Sequence, residues 1–146
     1  MNESTQGYSC TGRAYVLDAG ALLAGVHLSS ICRSYTTSLV AKEIKDEGSK
    51  LSLERALVSQ KLEILDPPID EDFKALISRG LSLPDISIIV LAEHLKKQKL
   101  EPVVFTDDYL LQEVLLSRGF EVRPVRYKGS KSYKKKTKGN EAQSSS

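Results

Sequence analysis

Histidine and cysteine are scarce in this chain, two of each among 146 residues. Cys10 and Cys32 fall in no metal-ligand spacing, and His27 and His94 stand alone, which argues against a zinc site. Both cysteines are read as free thiols, because a disulfide is poorly motivated in a cytoplasmic protein. No stretch approaches the roughly 18 continuous apolar residues of a membrane span. The first residues, MNESTQGYSCTG, lack the apolar core of a signal peptide. The expectation is a soluble cytoplasmic protein with no membrane partner. Neither G-x-x-x-x-G-K-[ST] nor G-x-G-x-x-G occurs, so no nucleotide-cradling loop is indicated, and no internal repeat is visible.

What is present suits one folded unit. A chain of 146 residues that is 40% hydrophobic can bury one core but not two. The net charge of +2 conceals an asymmetry. From residue 126 onward, Arg126, Lys128, Lys131, Lys134, Lys135, Lys136 and Lys138 face a single acid, Glu141. That segment carries +6, which leaves −4 for residues 1–125. The partition read from this is a flexible segment at 1–12, a globular domain at 13–125 and a disordered lysine-rich tail at 126–146. A cationic arm of this kind takes a polyanion, and Tyr127 and Tyr133 among the lysines suit stacking on bases, so the seven basic residues are RNA-binding candidates. A solubilising tail is the bland alternative.

Strand patterns at 14–17, 35–37, 61–65, 103–105 and 121–125 alternate with helical patterns at 19–27, 38–46, 51–59, 71–79, 84–97 and 108–118. Alternation of this kind predicts an α/β fold, with a parallel sheet covered on both faces. Gly48 and Ser49 are expected to break the second helix from the third, and Gly119 to stop the last.

Four acids stand where such a sheet would gather them. Asp18 closes the apolar run AYVL, Asp107 follows PVVF and Thr106, Asp85 opens the apolar helix starting at Pro84, and Glu43 lies about two turns into the helix after SYTT. Strand ends and the helix starts that follow them share one crevice at the carboxyl edge. Clustered carboxylates there suit a hard divalent cation, Mg²⁺ or Mn²⁺. Helix capping explains Asp18, Asp85 or Asp107 equally well taken singly. Glu43 falls beside the apolar stripe of Leu39, Val40 and Ile44, where a charge needs a partner. Thr106 is placed to orient a neighbouring carboxylate, and Asp108 is either an auxiliary acid or a first-turn charge. Thr36, Thr37 and Ser38 are candidate phosphate binders, although Ser38 equally suits a cap.

YVLDAGALLAG (15–25), TTSLVAKEIKDE (36–47), LSLPDISIIVLAEHL (81–95) and VVFTDDYLLQEVLLSRGF (103–120) together resemble the PIN-domain ribonucleases, most closely the archaeal Nob1-like ribosome-biogenesis endonucleases. The resemblance implies a three-layer α/β/α fold around a parallel sheet of about five strands. It implies a metal-dependent endonuclease acting on single-stranded RNA and leaving a 5′-phosphate. It carries the acidic constellation onto Asp18, Glu43, Asp85 and Asp107, with Asp108 auxiliary and Thr106 as the supporting hydroxyl. The expected substrate is precursor small-subunit rRNA or a pre-ribosomal particle, matured at its 3′ end, and a homodimer is left open. The four-cysteine zinc ribbon that typically follows the PIN domain in the Nob1 group is not in this sequence, where the lysine-rich tail stands instead. That departure keeps two other readings in play: a toxin-type PIN ribonuclease and a catalytically silent RNA-binding assembly factor. A doubly wound phospho-acceptor domain is disfavoured, since the last strand offers Arg123-Pro124 in place of a strand-end lysine.

Overall fold

The computed structural model describes residues 10–125. The tail with Arg126, Lys128, Lys131, Lys134, Lys135, Lys136 and Lys138, and most of the N-terminal segment, lie outside the described residues. Five strands form one sheet: β1 (Arg13–Leu17), β2 (Ser34–Thr36), β3 (Glu63–Ile64), β4 (Glu101–Phe105) and β5 (Glu121–Arg123). They lie in the order β3-β2-β1-β4-β5, and every pairing is parallel. Tyr15 stands opposite Ser34 on one side and Val103 on the other, so β1 is the central strand.

Parallel strands need crossovers, and seven helices supply them: α1 (Ala19–Ala24), α2 (Val26–Ser29), α3 (Ser38–Ala41), α4 (Glu47–Val58), α5 (Glu71–Lys74), α6 (Leu83–Lys97) and α7 (Tyr109–Ser117). Successive strand residues point to opposite faces. Val103 and Val104 are nevertheless both buried, as are Val16 and Leu17, so the sheet is covered on both sides. Ile86, Ile88, Ile89, Leu91 and Leu95 of α6 join Val16, Leu17 and Val104 in a single core with Leu111 and Leu115 of α7. Among the described residues no helix is long and apolar enough to cross a membrane.

The element order follows the sequence pattern, and the helices differ from it in four places. Gly25, at φ 77°, donates its N–H to Ala21 and Leu22 and splits the expected first helix into α1 and α2. The helix expected at 38–46 stops at Ala41; a turn follows that buries Ile44, and Glu43 lies in that turn. Gly48 and Ser49 do not break a helix, because α4 begins before them. The Asp46 side chain accepts the Ser49 N–H at 2.9 Å, and first-turn residues have no intrahelical bond to lose. The pattern at 71–79 is half realised, as α5 followed by a 3₁₀ turn over Ala75–Arg79.

The cysteines require a correction of a different kind. Cys10 and Cys32 form a disulfide, with Cα atoms 5.2 Å apart, and no free cysteine is left. Each precedes one of two adjacent parallel strands, β1 and β2, and it is this pairing that brings them together. A separation of 22 residues gives no sign of it.

Candidate active site

The strand order reverses direction between β1 and β4, and a sheet of this kind opens a crevice there at its carboxyl edge. Asp18 is the first residue after β1, and Asp107 is the second after β4. The backbone continues the ladder to this edge, with the Asp18 N–H donating to the Phe105 carbonyl at 3.4 Å. Thr36 ties the neighbouring strand in as well: its fully buried hydroxyl donates to the Leu17 carbonyl at 2.8 Å.

Capping and site placement turn out to be compatible, because a carboxylate has two oxygens. Asp18 caps α1, its Oδ1 accepting the Ala21 N–H at 2.9 Å. Asp85 belongs to a capping box with Ser82. Its Oδ2 accepts the Ser82 N–H at 3.3 Å, while the Ser82 hydroxyl accepts the Asp85 N–H at the same distance. Asp107 is no cap; its Oδ1 accepts the Val125 N–H at 2.8 Å. Asp108 is the cap of α7, its Oδ1 accepting the Leu111 N–H at 2.9 Å. Asp85 and Asp107 therefore each keep one oxygen unspent.

Thr106 occupies the centre of this arrangement and is fully buried. Its hydroxyl accepts the Asp108 N–H at 3.1 Å and hydrogen-bonds the Asp18 carboxylate. Its carbonyl accepts from Gln112 Nε2 at 2.7 Å. Thr106 was expected to orient a neighbouring carboxylate, and Asp18 is the carboxylate its hydroxyl influences. Gln112 was not singled out in the sequence, since a lone glutamine in an amphipathic helix carries no distinguishing signal.

Electrostatics link acids that come from separate segments. Burial raises the Asp18 carboxyl above its usual range, opposed by the hydrogen bonds from Thr106 and Ala21 and reinforced by the charges of Asp107 and Asp85. Glu43 is raised as well, by partial burial and then by Asp85 and Asp18, with Lys45 pulling the other way. Glu43 is largely exposed rather than wedged beside an apolar stripe, so solvent screens part of this effect. Among the described residues, no lysine or arginine forms an ion pair with any of the four acids. Among the described residues the carboxylates share one negative field without a paired cation.

The donor set fits a hard divalent cation in chemistry and in charge. As the side chains stand, no three acids, histidines or cysteines among the described residues converge to hold an ion outright. That suits an ion such as Mg²⁺, which keeps several waters and is held by one or two carboxylates together with substrate phosphate. The hydroxyls proposed for phosphate do not serve that purpose. Thr36 and Thr37 are buried with their hydroxyls engaged, and Ser38 gives both its N–H and its hydroxyl to Asp66. Thr37, not Ser38, caps α3.

No family profile matches the chain. It is 37% identical over 138 residues to Ribonuclease VapC3 of Aeropyrum pernix, covering 89% of this chain and 99% of that protein. It is 29% identical over 119 residues to Endoribonuclease Nob1 of Pyrococcus abyssi, covering 76% of this chain and 68% of that protein. Its fold is similar to the PIN domain of T. brucei RRP44, with a TM-score of 0.54 at 14% identity, over 83% of this chain and 82% of the other.

Proposed function

The chain belongs to the PIN-domain ribonucleases, and from that membership we propose a Mg²⁺- or Mn²⁺-dependent endoribonuclease that cuts single-stranded RNA. One observation carries the reading: Asp18 and Asp107 follow adjacent central strands at the same sheet edge, in electrostatic contact with Asp85 and with no cationic partner among the described residues. A structural set of caps would have no reason to concentrate uncompensated charge at one point.

In this reading Asp18, Asp85 and Asp107 would hold the cation directly or through its waters, with Glu43 completing the ring. Bound there, the ion would polarise the scissile phosphate and lower the pKa of an attacking water. The protein's own contributions are distinct. Thr106 orients the Asp18 carboxylate; the Ala21 and Ser82 N–H groups fix Asp18 and Asp85 in direction. The seven basic residues of 126–146 supply phosphate contacts that an acidic body lacks.

The substrate we assign is the 3′ region of precursor small-subunit rRNA, on the resemblance of TTSLVAKEIKDE and LSLPDISIIVLAEHL to the Nob1 group. A toxin-type ribonuclease is the second reading, favoured by the coverage of nearly the whole of VapC3. Incubating the protein with a precursor spanning that 3′ end, in Mn²⁺, and mapping the products separates them. A single cut at the mature 3′ end supports the first. Cleavage confined to other RNAs supports the second, and no metal-dependent cleavage of any RNA leaves the silent assembly factor.

A further inference from the structure

Two buried hydroxyls, those of Thr37 before α3 and Ser87 within α6, meet each other. Thr37 is 1% exposed and Ser87 is 5% exposed, and their Oγ atoms are 2.8 Å apart. The direction of that bond follows from its neighbours. The Ser87 hydroxyl donates its one hydrogen to the Pro84 carbonyl at 2.6 Å, so Thr37 must be the donor to Ser87. Thr37 Oγ1 in turn accepts the Val40 N–H at 3.2 Å. Each hydroxyl gives once and receives once, and neither has capacity directed to solvent.

The ends of this relay are the two acids. The Val40 carbonyl accepts the Glu43 N–H at 3.0 Å, and Pro84 is bonded covalently to Asp85. A continuous line therefore runs from the Glu43 backbone through Val40, Thr37, Ser87 and Pro84 to Asp85. It joins the start of α3 to α6, two helices that are in contact and that both feed the apolar core, Val40 from one and Ile88 from the other. Apolar packing is non-directional and tolerates sliding. A chain of hydrogen bonds specifies distance and angle.

We propose that Thr37 and Ser87 are positioning residues that set the placement of the Glu43 turn over Asp85, and thereby the affinity of the site for its divalent ion. The proposal rests on the metal-dependent reading above, and its test keeps the two separable.

The measurement is Mn²⁺ binding to the full-length protein, followed by the electron paramagnetic resonance of free Mn²⁺, beside thermal melting of each variant. Ser87→Ala is the cleaner change, because Thr37 Oγ1 still caps Val40 in it. Weakened support for a metal ligand costs about tenfold to a hundredfold in affinity. Ser87→Ala and Thr37→Val should show a loss in that range, and Thr37→Ser, which retains the hydroxyl, should bind as wild type does. If Thr37→Val does not fold, Ser87→Ala and Thr37→Ser decide the matter. Wild-type Mn²⁺ affinity in Ser87→Ala, even with a lowered melting temperature, overturns the positioning role and leaves the metal reading standing. Absence of saturable Mn²⁺ binding in the wild type, by contrast, removes the metal reading and this proposal with it.

Discussion

The Val125 N–H donates to Asp107 Oδ1 at 2.8 Å. An acid that follows the fourth strand is thus held by the residue closing the described chain after the fifth. The same contact aims the Asp107 carboxylate and holds Val125 beside the candidate active site. It also separates two properties of Asp107, its capacity to accept a hydrogen bond and its charge.

Asp107→Asn keeps an oxygen for the Val125 N–H and loses the charge; Asp107→Ala loses both. Both variants are expected to lose cleavage by at least about a hundredfold, the upper end of what losing a mere supporting residue costs. Only Asp107→Ala should also loosen the end of β5, seen as faster amide exchange at Val125. Wild-type cleavage in Asp107→Asn, measured on a uniformly labelled RNA, would remove Asp107 from the site.

Removal of residues 126–146 takes +6 from a protein whose remainder carries −4. Each phosphate neutralised on a single strand contributes about −0.7 to the slope of log K against log salt. With four of the seven cations in contact, truncation should flatten that slope by roughly three units. A salt titration of RNA binding in Ca²⁺ reads this directly. Equal slopes for full-length and truncated protein would place RNA recognition on the folded surface.

The pH dependence of stability has a definite sign. Asp18 and Glu43 have carboxyls raised in the folded state, so the folded protein binds more protons than the unfolded one above the ordinary carboxylate range. Their contribution to stability therefore falls as pH rises through that window. Without divalent ions, Asp18→Asn should melt several degrees above wild type near neutrality, since Asn still caps α1, and the gap should close as pH drops toward about 4. Adding Mn²⁺ should raise the wild-type melting temperature and leave the variant nearly unmoved. A gap independent of pH would show that Asp18 is not under charge strain.

The disulfide makes a prediction independent of catalysis. It closes a loop between residues 22 apart, and a link of that length contributes roughly 3 kcal/mol through the unfolded state. Reduction, or Cys32→Ser, should lower stability by about 2–4 kcal/mol in denaturant titrations. Below the new transition, cleavage should continue at the wild-type rate, because neither sulfur contacts an acid of the site. An unchanged midpoint under reducing agent would show that the bond contributes nothing.

Local signals made much of this molecule legible. Asp18 and Asp107 each follow a short apolar run, and a parallel sheet leaves few places for such residues except one edge. The proline of LSLPD marked a helix start, and α6 begins one residue before it, with Ser82 as its cap and Asp85 completing the capping box. Tertiary relations were harder to see. Glu43 was assigned to a continuing helix because Leu39, Val40 and Ile44 keep helical spacing; the chain satisfies Ile44 with a turn instead. Gly48 looks like a breaker, yet the Asp46 carboxylate converts that stretch into a first turn. The partners Asp66 and Ser38, Cys10 and Cys32, and Thr37 and Ser87 meet only once strands and helices have taken their places. Side chains joined across 22 to 50 residues leave no periodic trace.

The central position of β1 has a further consequence, during synthesis. Its neighbour β2 follows soon after it, but its other neighbour, β4, is made only toward the end of the described chain. Asp18 can emerge early and cap its helix, while Asp107 and the strand that bears it are still to be translated. A nascent chain on the ribosome, surrounded by RNA at high local density, thus carries the first carboxylate without the second. The long-range pairing that makes parallel sheets slow to fold also delays assembly of the candidate active site until β4 has been made and can pair with β1.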